Sequence, residues 1–572
     1  MAKRSSETTG TTAIVALALG AVGLFASLGA RDVATRSTRL AAATHPISRS
    51  GRPTPRLRPR GDDVDPPEVQ IGERLFLETR FSQYFAAHMT SVNAPLLQGD
   101  PTLDTLPTSN GPLPGPFAGK SMNCRNCHLV DDTAGAPTRT YCDYSRKSLV
   151  PAREDGQVQT PRNSPTLVNA LLPRSGPTFL HFDGEFTTPE DLAVGTMTGR
   201  NFGWLPLEGE TAIAHIARVV REDDGTGDLG QQYGDLSYRV LLAGMDPSIP
   251  LELRLPPEYR IDVTAASDAD VVLAVARLMT AYMRSLTFAN ASPYDVFLAK
   301  NGLPAGPDPG ETDLDYSRRL RAAVNALANP VFVGPEDGTF SEHDQEFVFG
   351  QTELTGLKIF LREPLPQTLA GDSRFLSTRT GNCIACHPAP NFTDFSFHNI
   401  GATQEEYDAA NGDGAFRRLF IPDLDYRNAR YDQYLPPTPQ HPSATGVFKT
   451  APLDLGVWNV YANPDFPAPQ DGLNALLNPG GRAPADALRG LIGYFKTPTL
   501  RDLGQSGPYL HTGRMRTLEE VLELYDTMSD MQRDGRVRNG SSELAGIFFA
   551  EDPGADKEPV VAFLKSLNED YN

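Results

Sequence analysis

The sequence predicts a mainly α-helical protein with two domains that are interrupted by long irregular insertions. Apolar residues recur at helical spacing in several stretches, most clearly from Asp268 to Leu286, where Ser267 is a candidate N-cap. Alternating, strand-like patterns are few. A short stretch of one type occurs twice, at residues 123–128 and 382–387, and this indicates one domain around each copy.

Both copies read C-x-x-C-H, the attachment signature of a c-type haem. Two thiols three positions apart can each add to a porphyrin vinyl group, and the adjacent histidine then faces the iron. A lone C-x-x-C is also typical of a redox dithiol or half a zinc site, but here a histidine follows each pair and no third pair exists. We therefore expect two covalent c-type haems, held by four cysteines and two histidine iron ligands: Cys124, Cys127, His128, Cys383, Cys386 and His387.

Composition and charge limit the classes of partner. The hydrophobic content of 40% suits a globular protein with a real core. The formal net charge of −19 argues against nucleic-acid binding, which needs a basic surface. It suits a basic electron donor such as a small cytochrome, although an acidic surface without any partner is an equal alternative. Cys142 is the one cysteine outside the haem motifs, so no internal disulfide is expected.

The N-terminus predicts export from the cytoplasm. Lys3 and Arg4 precede an apolar run from Thr11 to Ala30 that is free of charge, as in a signal peptide or a membrane anchor. Small residues suited to cleavage (41–43) lie far from the end of this run, so both alternatives stay open for residues 1–43. We expect a periplasmic protein, with residues 44–65, rich in Pro and Arg, as a flexible linker.

The rest of the chain divides into two predicted haem domains, residues 66–340 and 341–572. Folding is expected to start at Pro66 and Pro67, because proline suits a first helical turn. A stretch dense in Pro, Asn, Asp and Gly, residues 402–494, predicts an extended insertion. Further helices are expected at 212–222, 238–243, 353–363, after a capping box that begins at Thr517, and at about 559–567.

Taken in order, these stretches resemble the bacterial di-haem cytochrome c peroxidases and their relative MauG, which oxidises residues of a partner protein. The first C-x-x-C-H is followed by Arg-Asn-Ser-Pro-Thr and then Phe-Asp-Gly. The second is followed by Phe-Thr-Asp, Phe-His-Asn-Ile-Gly and Pro-Tyr-Leu-His-Thr-Gly. The matching pieces span nearly the whole exported chain: residues 71–82, 162–166, 182–184, 282–287, 292–298, 392–394, 397–401, 495–502, 508–513 and 517–521.

The resemblance implies two cytochrome c-like haem domains with different tasks. The haem on His128 would bind peroxide, and the haem on His387 would store or relay an electron. It also implies a calcium ion between the domains, held by an Asn side chain and two backbone carbonyls, at positions that match Asn163, Ser506 and Pro508.

Three departures from the family's pattern bear on activity. Residues 140–160 contain no histidine to match the distal ligand of typical peroxidases, so an open iron is expected at the His128 haem, with His181 as the nearest substitute. A family Trp between the haems falls at Phe182, and the catalytic Glu falls at Phe202 by ungapped counting. An acid over the iron would move a proton between the peroxide oxygens, and the candidates for that acid are Glu185, Glu208 and Glu210.

The resemblance further places Tyr525 at the distal ligand of the second haem. That position is Met in typical peroxidases and Tyr in MauG. Tyr525 shares the apolar helix face of Leu518, Val521 and Leu522. Without the resemblance, a core tyrosine bonded to a buried acceptor is the expectation. A phenolate would stabilise ferric iron relative to a thioether.

Three functions are compatible with the sequence. The first, which the resemblance favours, is a periplasmic peroxidase that reduces hydrogen peroxide with electrons from a small cytochrome or a cupredoxin. The second is a MauG-like or oxygenase-like enzyme that oxidises a protein or an organic substrate. The third is a non-catalytic di-haem electron carrier with both irons fully ligated.

Overall fold

The computed structural model describes residues 65–103, 105–108, 111–114, 119–128, 149–156, 160, 162–174, 177–340, 343–364, 380–429, 454–464, 470–550 and 553–569. The predicted export segment, nearly all of the linker 44–65, and Cys142 lie outside these residues. No helix in the described ranges is long and apolar enough to span a membrane.

The described chain is mainly helical, as predicted. Strand structure is confined, among the described residues, to two short antiparallel pairs: Thr105–Thr108 with Gly111–Pro114, and Phe397–His398 with Phe495–Lys496. The helices are Pro67–Phe76, Gln83–His88, Pro189–Met197, Gly209–Glu222, Asp228–Gln232, Tyr238–Ala243, Asp268–Ser285, Pro293–Lys300, Asp313–Ala326, Gln351–Phe360, Ala402–Asn411, Ala415–Arg418, Leu424–Ala429, Val457–Val460, Gln470–Leu477, Pro484–Arg489, Leu518–Arg533 and Pro553–Lys565.

A first core forms around the helix Asp268–Ser285, whose apolar face is buried as its periodicity predicts. The Ser267 hydroxyl accepts the Asp270 N–H at 3.2 Å and caps this helix, as expected. The helix Pro67–Phe76 crosses it so closely that a Cβ on Gly72 would lie 2.1 Å from the Leu278 carbonyl oxygen. Glycine is therefore required at this crossing.

A second core joins the helices Pro293–Lys300, Asp313–Ala326, Gln351–Phe360, Leu518–Arg533 and Pro553–Lys565. The Thr517 hydroxyl accepts the Glu520 N–H at 3.2 Å, but the Glu520 carboxylate accepts the N–H of Arg516 at 2.5 Å, so the predicted capping box is only half formed. The last helix begins at Pro553 and contains Pro559, whereas the sequence predicted Pro559 as its first residue. Packing of this helix against Gln351–Phe360 outweighs the local cost of an internal proline.

The change from the first core to the second occurs between Phe288 and Tyr294. Residues of the helices Pro293–Lys300 and Asp313–Ala326 therefore pack in the second core, although the predicted boundary after residue 340 assigns them to the first domain. The carboxylate of Glu569, near the C-terminus, accepts the backbone N–H groups of Ala289 and Ala291 at this junction. The division into two haem domains stays a prediction, and we propose residues 289–292 as its boundary.

The insertion 402–494 contains more regular structure than its composition suggests. Short helices among its described residues build a third core around Trp458 and Tyr461, which are each 1% exposed. Phe179 and Phe397, from outside the insertion, complete this core. The insertion is therefore packed onto the rest of the chain by buried aromatic rings.

The crossing at Gly72 gives a direct test of the first core. We expect Gly72→Ala to lower the free energy of unfolding by about 1–3 kcal/mol, because the added methyl group collides with backbone rather than with a movable side chain. Gly209→Ala is the matched control, since a Cβ there meets nothing within 4 Å at the first residue of a helix. Denaturant unfolding of both variants measures the difference, and equal midpoints would contradict the close crossing.

Candidate functional site

The second C-x-x-C-H stretch forms a tight turn over Cys383–Ala385. The carbonyl of Cys383 accepts the N–H groups of Cys386 at 3.2 Å and of His387 at 2.7 Å. These two bonds curl the backbone so that both thiols and the imidazole line a single cavity. Burial raises the pKa of the Cys383 thiol to about 12. The three side chains therefore have the arrangement that the motif predicts.

The imidazole of His387 is oriented by a backbone carbonyl. Its Nδ1 lies 2.9 Å from the carbonyl oxygen of Phe392, a fully buried residue, so Nδ1 carries the proton and donates it. Nε2 is then the nitrogen left to bind a metal. Burial lowers the pKa of His387, which favours the neutral form that ligates iron.

The cavity beside His387 has about 1380 Å³ of empty space and is lined mainly by apolar side chains. Leu518, Val521, Leu522 and Tyr525 line it from the helix Leu518–Arg533. An apolar cleft that ends in two thiols and one imidazole fits a covalently attached haem.

Tyr525 lies in this cavity, as predicted. Burial, and then the nearby Cys386 and Cys383, raise the pKa of its phenol well above the ordinary value. Its hydroxyl makes no hydrogen bond to any residue within the described ranges, so the alternative of a core tyrosine bonded to a buried acceptor finds no acceptor there. Its role as an iron ligand stays a prediction.

The first C-x-x-C-H stretch repeats the same turn over Cys124–Asn126. The Cys124 carbonyl accepts the N–H groups of Cys127 and His128, each at 3.1 Å. Asn123 fixes the turn to the first core by donating to the Leu77 carbonyl at 2.7 Å. Burial, and then the charge of His181, lower the pKa of His128 to about 4. His128 is therefore also a neutral imidazole at neutral pH.

A second cavity, with about 1590 Å³ of empty space, contains Cys124, Cys127 and His128. Its walls are more polar than those of the first, because Thr160, Asn201 and Asp183 join its apolar lining. Phe202, at the position expected for the catalytic Glu, is 2% exposed and also lines this cavity. No carboxylate stands at that position.

The three candidate acids lie in different surroundings. Glu185 lines the His128 cavity and lies 2.9 Å from His181, which lines it too. Glu208 is bound on both oxygens by the Arg153 guanidinium at 2.8 Å, and it also accepts the N–H of Leu205. Glu210 is exposed at the start of a helix and does not line the cavity. Glu185 is therefore the predicted acid that the structure brings to the site.

His181, the nearest substitute for the missing distal histidine, lies beside the first haem motif. It forms part of the cavity wall on which His128 also lies. Sequence reasoning treated His181 and Glu185 separately. The spacing of four residues was the available signal, but only the fold shows that they pair across a tight turn.

Phe182 connects the two cavities, since its side chain lines both. The Lys496 N–H donates to the Phe182 carbonyl at 2.7 Å, and the Lys496 side chain donates to Phe179 O at 3.1 Å. Burial, and then the charge of Arg174, lower the pKa of Lys496 to about 7. The loop around Phe182 is thus held between the two candidate haem sites.

Asn163, one of the three expected calcium ligands, lies beside another of them, the carbonyl of Pro508. Its Nδ2 is 2.7 Å from the carbonyl oxygens of both Pro508 and Leu510, and its buried Oδ1 has no hydrogen-bond partner among the described residues. Ser506 lines the same small cavity. Rotation of the amide would bring Oδ1 to the two carbonyls, since the assignment of amide O and N depends on their surroundings.

The zinc alternative for the cysteine pairs loses support. Within the described residues, neither pair belongs to a cluster of three or more His, Cys, Asp and Glu ligand atoms. A structural zinc site needs four such ligands. The one cluster of this kind in the described ranges is His181, Asp183 and Glu185.

Comparison with known proteins identifies relatives of the chain. No family model matches it. Two cytochrome-c peroxidases of Denitromonas iodatirespirans match it over 217 residues, which is 36% of this chain. IdrP2 is 24% identical and is matched over 44% of its length. IdrP1 is 26% identical and is matched over 45% of its length. IdrP1 of Pseudomonas sp. (strain SCT) is 24% identical over 187 residues, 32% of this chain and 36% of its own. Over these stretches the chain is similar in sequence to cytochrome-c peroxidases. It spans less than half the length of these relatives.

Two solved structures are also similar to this chain. A MauG-like protein associated with microbial copper homeostasis is 16% identical, with a TM-score of 0.39 over 92% of this chain and 96% of that one. The di-haem peroxidase BthA from Burkholderia thailandensis is 17% identical, with a TM-score of 0.42 over 91% and 92% of the two chains.

The placement of Tyr525 leads to a spectroscopic prediction. We expect Tyr525→Phe to change the ferric electron paramagnetic resonance signal of the His387 haem, because it would remove the predicted anionic oxygen ligand. Tyr509→Phe is a suitable control, since Tyr509 lines the same cavity but its hydroxyl donates to the Leu503 carbonyl at 2.9 Å. An unchanged signal in Tyr525→Phe would remove Tyr525 from the iron.

Proposed function

We propose that this chain is an exported di-haem c-type oxidoreductase that reduces hydrogen peroxide with electrons from a small cytochrome or a cupredoxin. The observation that carries the proposal is the pair of cavities, each with a C-x-x-C-H turn on its wall, which meet at Phe182. The relationship to cytochrome-c peroxidases supports the same reaction.

Six residues would hold the two haems. Cys124 and Cys127 would attach one, with His128 as its iron ligand, and the second stretch would hold the other in the same way. Bound haem supplies an iron centre that takes up peroxide and exchanges single electrons. The protein's part is to orient each imidazole, to exclude water from the His387 cavity, and to supply polar groups beside His128.

The difference between the cavities supports a division of labour. The His128 cavity has hydrogen-bonding side chains on its wall, which peroxide needs for proton transfer. The His387 cavity is lined mainly by apolar groups, as suits a centre that only accepts and passes electrons. Phenylalanine at 182 lacks the low oxidation potential of the family's Trp, so we propose electron tunnelling past its ring rather than hopping through it.

A MauG-like oxidation of a protein or an organic substrate is the second candidate. Tyr525 in the His387 cavity favours it, because an anionic ligand would make that haem a poorer electron reservoir but easier to oxidise. The apolar Phe182 and Phe202 on the wall of the His128 cavity favour it as well. A non-catalytic electron carrier, the third candidate, requires both irons to be fully ligated.

Turnover with a reduced cytochrome distinguishes these functions. For the haem-loaded protein we expect oxidation of two reduced donor molecules for each hydrogen peroxide, and a high-spin ferric signal from the His128 haem before peroxide is added. Peroxide-dependent spectral change without donor turnover would favour the MauG-like reaction. Two low-spin haems that bind neither peroxide nor cyanide would leave only the electron carrier.

We also propose that a calcium ion binds at Asn163, Ser506 and Pro508. The Asn163 amide lies 2.7 Å from the carbonyl oxygens of Pro508 and Leu510, and Ser506 lines the same cavity. This supports the site, because calcium prefers oxygen ligands of this kind. Without a cation, the amide nitrogen satisfies the same carbonyls by donating to them. The site would tie the loop after the first haem to the loop at residues 506–510.

Metal analysis tests this proposal. We expect about one calcium ion per purified chain, and its loss in Asn163→Ala, because the side-chain oxygen is then missing. Asn301→Ala is the control, since the Asn301 amide bonds the Phe297 and Val331 carbonyls far from this cavity. Equal calcium content in the two variants would show that Asn163 is not a ligand.

A further inference from the structure

The chain between Leu180 and Phe186 makes a tight turn that aims two side chains into the His128 cavity. The Leu180 N–H donates to the Phe186 carbonyl at 2.8 Å and closes the turn. His181 has a φ of +61°, in the left-handed region that non-glycine residues seldom adopt. The surrounding contacts must therefore hold this conformation against its steric cost.

The turn pairs His181 with Glu185. Their Nδ1 and Oε2 atoms are 2.9 Å apart, and the side chain of each is 29% exposed. The His181 ring also contacts Phe186 edge to face at 5.1 Å between ring centres. A carboxylate that accepts the Nδ1–H of a histidine fixes its tautomer and leaves Nε2 as a proton acceptor.

The two side chains line the same cavity as His128. The position where an acid was expected is filled by the apolar ring of Phe202. Within the described part of that lining, Asp183 is engaged by the Arg162 guanidinium at 2.8 Å, which leaves His181 and Glu185 as the pair suited to proton transfer.

We propose that His181 is the proton-transferring residue of the His128 cavity and that Glu185 positions it. The inference rests on the peroxidase function proposed above. His181 Nε2 takes a proton from one oxygen of hydrogen peroxide and delivers it to the other. The O–O bond then breaks, and the oxygen that received the proton leaves as water with both peroxide protons.

The electrons and atoms of this step balance with the proposed donors. Hydrogen peroxide is reduced by two electrons, which two reduced cytochromes restore one at a time through the second haem. The remaining oxygen becomes a second water with two protons from solvent. His181 ends the cycle in the protonation state in which it began, so it acts as a catalyst for proton movement.

A divalent metal ion on His181, Asp183 and Glu185 is the competing assignment. Their ligand atoms lie within 4.8 Å of one another. Arg162 argues against it, because its guanidinium already bonds Asp183 at 2.8 Å and Asp454 at 2.5 Å. The Arg162 guanidinium is therefore already paired with Asp183, the carboxylate that a metal ion would need.

Cyanide binding to the haem-loaded protein tests the proposal independently of turnover. Hydrogen cyanide, like peroxide, loses a proton when it binds to ferric iron, so a base in the cavity accelerates its binding. We expect His181→Gln to lower the rate constants for cyanide binding and for the reaction with peroxide about 100-fold, with the resting spectrum unchanged. Glu185→Gln should lower both rate constants by a smaller factor, because the histidine remains but is less firmly oriented.

His88→Gln is the matched control, since His88 is exposed, stacks on Tyr84 and does not line the cavity. Unchanged rate constants in both His181→Gln and Glu185→Gln would overturn the proposal. A resting spectrum that turns from low-spin to high-spin in His181→Gln would overturn it too, by making His181 an iron ligand. If wild type binds cyanide quickly through His181 but does not turn over peroxide, only the peroxidase function fails.

Discussion

The rest of the structure depends on one backbone constraint, used twice. In each C-x-x-C-H stretch the carbonyl of the first cysteine accepts two successive N–H groups, those of the second cysteine and of the histidine. This turn puts two thiols and one imidazole on the same side of the chain, facing one cavity. The helices around each turn are packed so that the cavity remains open beside it, with apolar walls that a planar, mostly apolar cofactor can fill.

Residues of the first core line the His128 cavity and residues of the second core line the His387 cavity, and Arg162 joins the loop beside them to the insertion. Its guanidinium bonds Asp183, in the loop of Phe182, and Asp454, in the insertion. Asp183 is 1% and Asp454 3% exposed, so one guanidinium faces two buried carboxylates. Burial raises the pKa of Asp183, whereas at Asp454 the Arg162 guanidinium outweighs burial and lowers the pKa. The insertion is thereby anchored beside the first haem site rather than left on the surface.

The two candidate sites differ in the chemistry of the groups that surround the histidine of each C-x-x-C-H turn. The His387 imidazole is held by a carbonyl and surrounded by apolar side chains, whereas the His128 cavity has a histidine–carboxylate pair on its wall. Phe182 belongs to the same short loop as that pair and also lines the His387 cavity. A single loop, fixed by Lys496 and Arg162, therefore carries both the histidine–carboxylate pair of one cavity and the phenylalanine that lines the two cavities.

The sequence by itself determined the features that depend on local spacing. The C-x-x-C-H turns, the helix capped by Ser267 and the inward face that carries Tyr525 follow from short-range periodicity and hydrogen bonding. Sequence could not choose among Glu185, Glu208 and Glu210, because the choice depends on which carboxylate lines the His128 cavity and which one an arginine already binds. It also missed the core of the insertion and the change of core near residue 290. Only tertiary structure decided these points, since they depend on contacts between segments that are distant along the chain, such as Arg162 with Asp454 and Glu569 with Ala291.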